Sequence, residues 1–170
     1  GHFDGVATVV TKLLLQTDAD QAFFGEKDYQ QLLVVRRLAE DLDLKTRIIG
    51  CPTIREGDGL AMSSRNLRLD GKARAIAPVV REALSHAANA ICDGVPVGTV
   101  LQDTRRRLAD AGLGEIDYLE LRGDPDLAIL STADRPARIF VAAWLDGVRL
   151  IDNIPVPAKS PQPRHLETTG

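Results

Sequence analysis

Two short strings carry side chains suited to gripping a polyanion: Gly25-Glu26-Lys27-Asp28 and Met62-Ser63-Ser64-Arg65-Asn66. Ahead of the first, Gln21-Ala22-Phe23-Phe24 reads as a buried strand that stops at glycine and turns straight into a helix. Such a turn presents backbone N–H groups and a helix N-terminus to a bound anion. Lys27 adds a mobile positive charge, and the Asp28 carboxylate can accept hydrogen bonds from the hydroxyls of a ribose. The plainer reading is that Asp28 caps the helix and Lys27 is a solvated loop residue. Gln31, in the first turn of that helix, has an amide that both donates and accepts and would suit a small hydroxy acid; a polar helix-face residue is the alternative. In the second string, Ser63, Ser64 and Arg65 put two hydroxyls and a guanidinium on consecutive residues, and a phosphate needs several short donors with one delocalised cation. The preceding Arg55-Glu56-Gly57-Asp58-Gly59 gives flexibility to a loop that folds over a ligand. Either string alone could be a polar loop. Two of them, each following a strand of one sheet, point to the edge where open α/β sheets bind nucleotides.

The elements that must position these groups follow from periodicity. Val6, Val9, Val10, Leu13 and Leu14 fall at helical spacing within 5–16, and Leu32, Leu33, Val35, Leu38, Ala39 and Leu42 within 29–42. The β-branched run from Lys45 to Ile49 closes a helix, strand, helix, strand order, which favours parallel strands joined by a crossover helix. From Arg55 to Asn66 no period is visible, and a long functional loop is expected. Asp70 predicts the cap of a helix reaching Cys92, which Pro78 must kink or delay. A further helix over 97–111 stops at Gly112 and Gly114. Glu115 to Arg122 reads as a strand, and the runs 138–145 and 148–154 flank Asp146-Gly147, a strong hairpin signal. Phe140 and Trp144 are expected to pack that hairpin. The composition shift near residue 68 divides the chain into a nucleotide-fold part, 1–67, and a small α+β part, 68–155, with 156–170 a tail expected to be disordered from Lys159.

Composition excludes several classes. Among 170 residues, 21 Lys plus Arg face 24 Asp plus Glu, so no broad basic field exists for nucleic acid and any anion site must be local. No apolar run is long enough to span a membrane and no secretory profile opens the chain, so a cytoplasmic protein is expected. Cys51 and Cys92 match no metal spacing and read as free thiols; no metal-ligand set is assigned. His2, His86 and His165 read as surface residues, and Arg105-Arg106-Arg107 as a solvated helix face.

Three longer strings sharpen the reading: residues 1–10 (GHFDGVATVV), 23–32 (FFGEKDYQQL) and 58–66 (DGLAMSSRN). In wording, order and spacing they resemble the pantothenate synthetases, as do Asp117 to Arg122, Val141 to Leu145 and Arg149 to Asn153 further on. The likeness covers about 1–154. It implies an α/β fold: the second half of a Rossmann-like HIGH/KMSKS nucleotidyltransferase domain with parallel strands, then a small α+β C-terminal domain with an antiparallel hairpin. It implies a homodimeric ligase that condenses pantoate with β-alanine using ATP and Mg²⁺, through a pantoyl adenylate, releasing AMP and pyrophosphate. Carried over by motif, Gly25, Glu26, Lys27 and Asp28 would hold ATP, Ile54 would lie against the nucleotide, and Met62, Ser63, Ser64 and Arg65 would grip the phosphates. Gln31 would bind pantoate, and Lys27, Ser63, Ser64 and Arg65 would act on the reacting phosphate. The family's Met-Gly-x-Leu-His-x-Gly-His motif, whose histidines meet the ATP phosphates, has no counterpart here. The 170-residue chain is therefore expected to be the C-terminal portion, with little or no ligase activity alone. The competing readings are a noncatalytic fragment of this ligase and a different acid-adenylating nucleotidyltransferase.

Overall fold

A computed structural model describes residues 1–158, with the side chain of His2 excluded. The expected tail from Lys159, and His165 within it, lie outside the described residues. Helix α1 spans His2–Thr17, starting earlier than its apolar spacing predicts, and ends at Asp18 in a left-handed conformation whose N–H bonds back to Leu14. Strand β1 (Gln21–Gly25), a 3₁₀ turn (Glu26–Asp28), helix α2 (Tyr29–Asp41) and strand β2 (Arg47–Cys51) follow. The two strands pair in parallel with Gly25 opposite Cys51, so both loops leave the sheet at one level. Helix α2 buries Tyr29, Leu32, Val35 and Ala39, one stripe at helical spacing. Leu42, assigned to that stripe by spacing, is instead exposed past the end of the helix. Where α2 crosses β2, a Cβ at Gly50 would stand 2.9 Å from Leu32 Cδ2 and 3.0 Å from an Arg36 nitrogen. A glycine there lets helix and strand approach closely.

The loop after β2 is not the flexible segment its composition suggests. Arg55 and Ala61 form an antiparallel bridge, Glu56 N–H bonds to Leu60 O at 2.8 Å, and Gly59 takes the positive φ of 89° that the reversal needs. Leu60 is 4% exposed and packs in the larger core. A 3₁₀ helix, Ser64–Arg68, completes the segment.

Asp70 caps helix α3 (Gly71–Ile76) as predicted, its carboxylate accepting from Ala73 N–H at 2.7 Å. Pro78 ends that piece and opens a second helix, α4 (Val79–Cys92). Helix α5 (Val97–Asp110) follows, and Gly112, at φ 101°, turns the chain after it. Strands β3 (Ile116–Gly123), β4 (Ala137–Leu145) and β5 (Val148–Val156) form an antiparallel sheet in that order. Asp146 and Gly147 both take positive φ, 49° and 69°, which suits the two-residue turn closing β4 onto β5. The larger core lies between α4, α5 and this sheet. A smaller cluster of Tyr29, Leu32 and Phe140, flanked by Phe24 and Tyr118, joins the two sheets' territories. Phe140 thus packs from the hairpin strand β4 into this cluster. Trp144, on the same strand, is 37% exposed and its indole N–H donates to Asp117 at 2.8 Å. The observed class is α/β, with a parallel pair followed by an antiparallel sheet.

Candidate functional site

Because β1 and β2 end flush, the segments 26–28 and 52–66 converge on one edge, and three cavities open beside them, two of which reach β5. Lys27 lines all three. The first, of about 230 Å³, adds Asp28, Gln31, Arg65, Tyr118 and Arg149. The second, of about 570 Å³, is walled by Gly25, Asp28, Cys51, Ile54, Met62 and Ser63. Ile54 is 71% and Met62 51% exposed, which leaves an apolar rim beside a charged centre. The third holds only about 10 Å³, between Lys27, Ser63, Asn66 and Asp152. That is about the room of one water molecule. The Asn66 amide oxygen, which has no hydrogen-bond partner among the described residues, belongs to a residue lining it.

The structure therefore gathers Gly25, Lys27, Asp28, Gln31, Ile54, Met62, Ser63 and Arg65 around cavities that share Lys27. Glu26 and Ser64 line none of the three cavities. Glu26 instead turns its carboxylate to Arg138, at 3.2 Å. Ser64 opens the 3₁₀ helix that Ser63 caps, Ser63 Oγ accepting from Arg65 N–H at 3.2 Å.

Electrostatics single out Lys27. Burial pushes its ammonium below the ordinary lysine value, and Arg65 adds to the effect, against the opposing pull of Asp28 and Asp152. A cation held under that strain gains when a polyanion arrives. Burial likewise pushes the Tyr29 phenol up to about 12, with help from its 2.6 Å bond to Asp124. The same ring lies under the Arg138 guanidinium, 4.0 Å from its centroid. Arg149 reaches Asp117 at 2.6 Å and holds that carboxyl below its usual range.

Four residues of this arrangement went unassigned in the sequence: Arg55, Arg138, Asp152 and Asn153. Asp152 accepts two bonds from Arg55, at 2.7 and 3.0 Å. Asn153 donates to the backbone oxygens of Glu26 and Lys27, at 2.9 and 3.0 Å, and accepts from Arg138 at 2.8 Å. A signal for them does exist. Val148, Leu150, Ile154 and Val156 set a period of two along β5, and Asp152 falls in that apolar phase. A carboxylate on a core-facing position needs a partner, and the partner has to come from elsewhere in the chain.

A family model described as pantoate-beta-alanine ligase matches residues 1–155. A pantothenate synthetase of Chelativorans sp. (strain BNC1) is 65% identical over 156 residues, covering 92% of this chain and 55% of the relative. One from Roseobacter denitrificans is 59% identical over 157 residues, with the same shares. The chain thus spans about half the length of the relatives it matches. Among solved structures, the crystal structure of pantothenate synthetase from Thermus thermophilus superposes with a TM-score of 0.87 at 43% identity, covering 92% of this chain and 57% of that one. The ligase from Francisella tularensis, crystallised with beta-gamma ATP and beta-alanine, gives 0.70 at 33% identity, covering 91% and 50%. The α/β architecture is that of these solved ligases. On sequence and on fold alike, the chain belongs to the pantoate–β-alanine ligase family.

Proposed function

We propose that this chain carries the phosphate-gripping part of a ligase that joins pantoate to β-alanine at the expense of ATP. The observation that carries the reading is Lys27, a partly desolvated cation common to three adjoining cavities, with Arg65 and Ser63 beside it. In the first step a pantoate carboxylate oxygen bonds to the α-phosphorus, and the bond to pyrophosphate breaks. Negative charge accumulates on an already anionic centre, so fixed donors and cations contribute most in that transition state. Lys27, Ser63 and Arg65 supply them from the cavity walls, and Ser64, which lines none of the cavities, is assigned to the same phosphate by the family motif alone. In the second step the β-alanine nitrogen attacks the acyl carbon, AMP leaves, and the amine loses a proton. No protein nucleophile is required. Gly25, Lys27 and Asp28 hold ATP with their side chains or exposed backbone; Glu26 contributes through its backbone, since Arg138 occupies its carboxylate. Ile54 and Met62 offer the apolar wall for the nucleotide, and Gln31 takes pantoate in the first cavity. Among the described residues no three His, Cys, Asp or Glu converge into a metal site. These residues do not fit a dedicated cage for Mg²⁺, and no step is assigned to that ion. The reading extends to two units at 1–67 and 68–155, divided at the composition shift near residue 68, to a homodimer, which the family resemblance suggests, and to a cytoplasmic setting.

The test fuses the chain to the part of the 65% identical relative that the match leaves uncovered. The fusion is expected to exchange pyrophosphate into ATP only with pantoate present and to release AMP only when β-alanine is added. The 170-residue chain alone is expected to show little or no activity. Lys27→Ala in the fusion should slow adenylation by at least ~10²-fold, the scale for losing a transition-state donor. A folded fusion that makes no AMP would sink the reading, and adenylation of another acid but not pantoate would favour a different nucleotidyltransferase.

A further inference from the structure

Strand β5 carries two consecutive polar residues that are almost fully enclosed, Asp152 at 4% and Asn153 at 2% exposure. Enclosed polar groups are costly unless every hydrogen bond is answered. Here the answers come from the two anion loops. Both N–H groups of the Asn153 amide go to the 26–28 turn, one to the carbonyl of Glu26 and one to that of Lys27. Its oxygen takes the Arg138 Nε–H, and Arg138 in turn reaches the Glu26 carboxylate. Asp152 binds the other loop: its two oxygens accept the fork of Arg55, and Arg55 also donates to the Gly59 carbonyl at 3.0 Å, across the 55–61 turn. Asp152 is tied to Asn153 itself by a 2.8 Å bond from the Asn153 N–H. Each loop is thus fastened to one of two adjacent residues on a rigid strand.

We infer that Asp152-Asn153 is a positioning dipeptide, which fixes the Lys27 turn and the Ser63–Arg65 loop relative to each other and so sets the spacing of the cations that meet the phosphates. Neither residue needs to touch substrate. Two convergent bonds from a single amide fix the curvature of the 26–28 backbone, and a bidentate carboxylate–guanidinium pair fixes direction as well as distance. The functional consequence rests on the triphosphate reading of the site; the mechanical part does not.

Hydrogen exchange read by mass spectrometry on the 170-residue chain separates the two. Asn153→Asp keeps an acceptor for Arg138 but removes both donated bonds. It is expected to speed exchange across 24–29 at least about tenfold, the scale of two lost hydrogen bonds, while protection of α4 and β4 holds. Arg55→Lys keeps the charge but loses the fork, and is expected to loosen 53–66 and leave 24–29 unchanged. Binding of inorganic pyrophosphate should weaken about fivefold or more in either variant. Should Asn153→Asp fail to fold, Arg55→Lys carries the test by itself. Unchanged loop exchange in the folded variants, or a rise spread evenly over all segments, would overturn the assignment and leave these residues as ordinary core supports. Localised loosening in a chain whose wild type binds no pyrophosphate would keep the positioning role and remove the triphosphate reading.

Discussion

Lys27 sits where a lysine is least comfortable, partly enclosed and close to Arg65, with its ammonium pushed below the ordinary value. The sign of the consequence is fixed. Burial disfavours the charged form in the free protein, and a bound polyanion favours it, so binding raises the Lys27 pKa and draws in a proton between the two values. Calorimetric titration of pyrophosphate in buffers of different ionisation enthalpy is expected to register proton uptake that grows as pH is raised toward 10.5, the unperturbed lysine value. Lys27→Arg should remove the share due to Lys27, because a guanidinium stays charged, so the difference between the two proteins is the readout. An identical buffer dependence in both would mean that Lys27 does not change protonation on binding. At this scale the placement of residues beside the cavities was legible where it is local: Gly25, Lys27, Asp28 and Gln31 lie in one short stretch, and Met62, Ser63 and Arg65 in another. The side chains that hold those stretches were not, since Arg55 and Asp152 are 97 residues apart and reveal each other only in space.

Elements obey local rules more faithfully. The Asp70 cap, the break at Pro78 and the Asp146-Gly147 reversal are each settled by one or two residues, and each stands where the sequence puts it. Tertiary packing outranks local pattern in the Gly-rich 55–61 segment, which is a pinned turn. The close crossing of α2 over β2 gives a test at this scale. Gly50→Val drives a branched side chain against Leu32 and Arg36, and is expected to cost about 1–3 kcal/mol, as overpacking does. Urea denaturation would measure it, and a change within error of zero would show that α2 can shift without penalty.

Across the whole molecule, apolar side chains are unevenly covered. Val9, Leu13 and Leu15 on α1 and Phe23 on β1 are 58%, 53%, 62% and 64% exposed, so the elements around the parallel strands leave large apolar side chains uncovered. Patches of this kind drive association. Sedimentation of the 170-residue chain is expected to show concentration-dependent self-association that Leu13→Glu with Phe23→Ser reduces; a monomer at every concentration would mean the patch is too dispersed to act. The clamp from β5 has a consequence in time as well. A chain emerges from the ribosome N-terminus first, so the Lys27 turn leaves the tunnel well before Asn153, which lies 126 residues further on. Until β5 arrives, nothing on that strand ties the turn down, and contacts of such long sequence separation form late. The Lys27 turn, although made early, is accordingly fastened late, once the last strand among the described residues is in place.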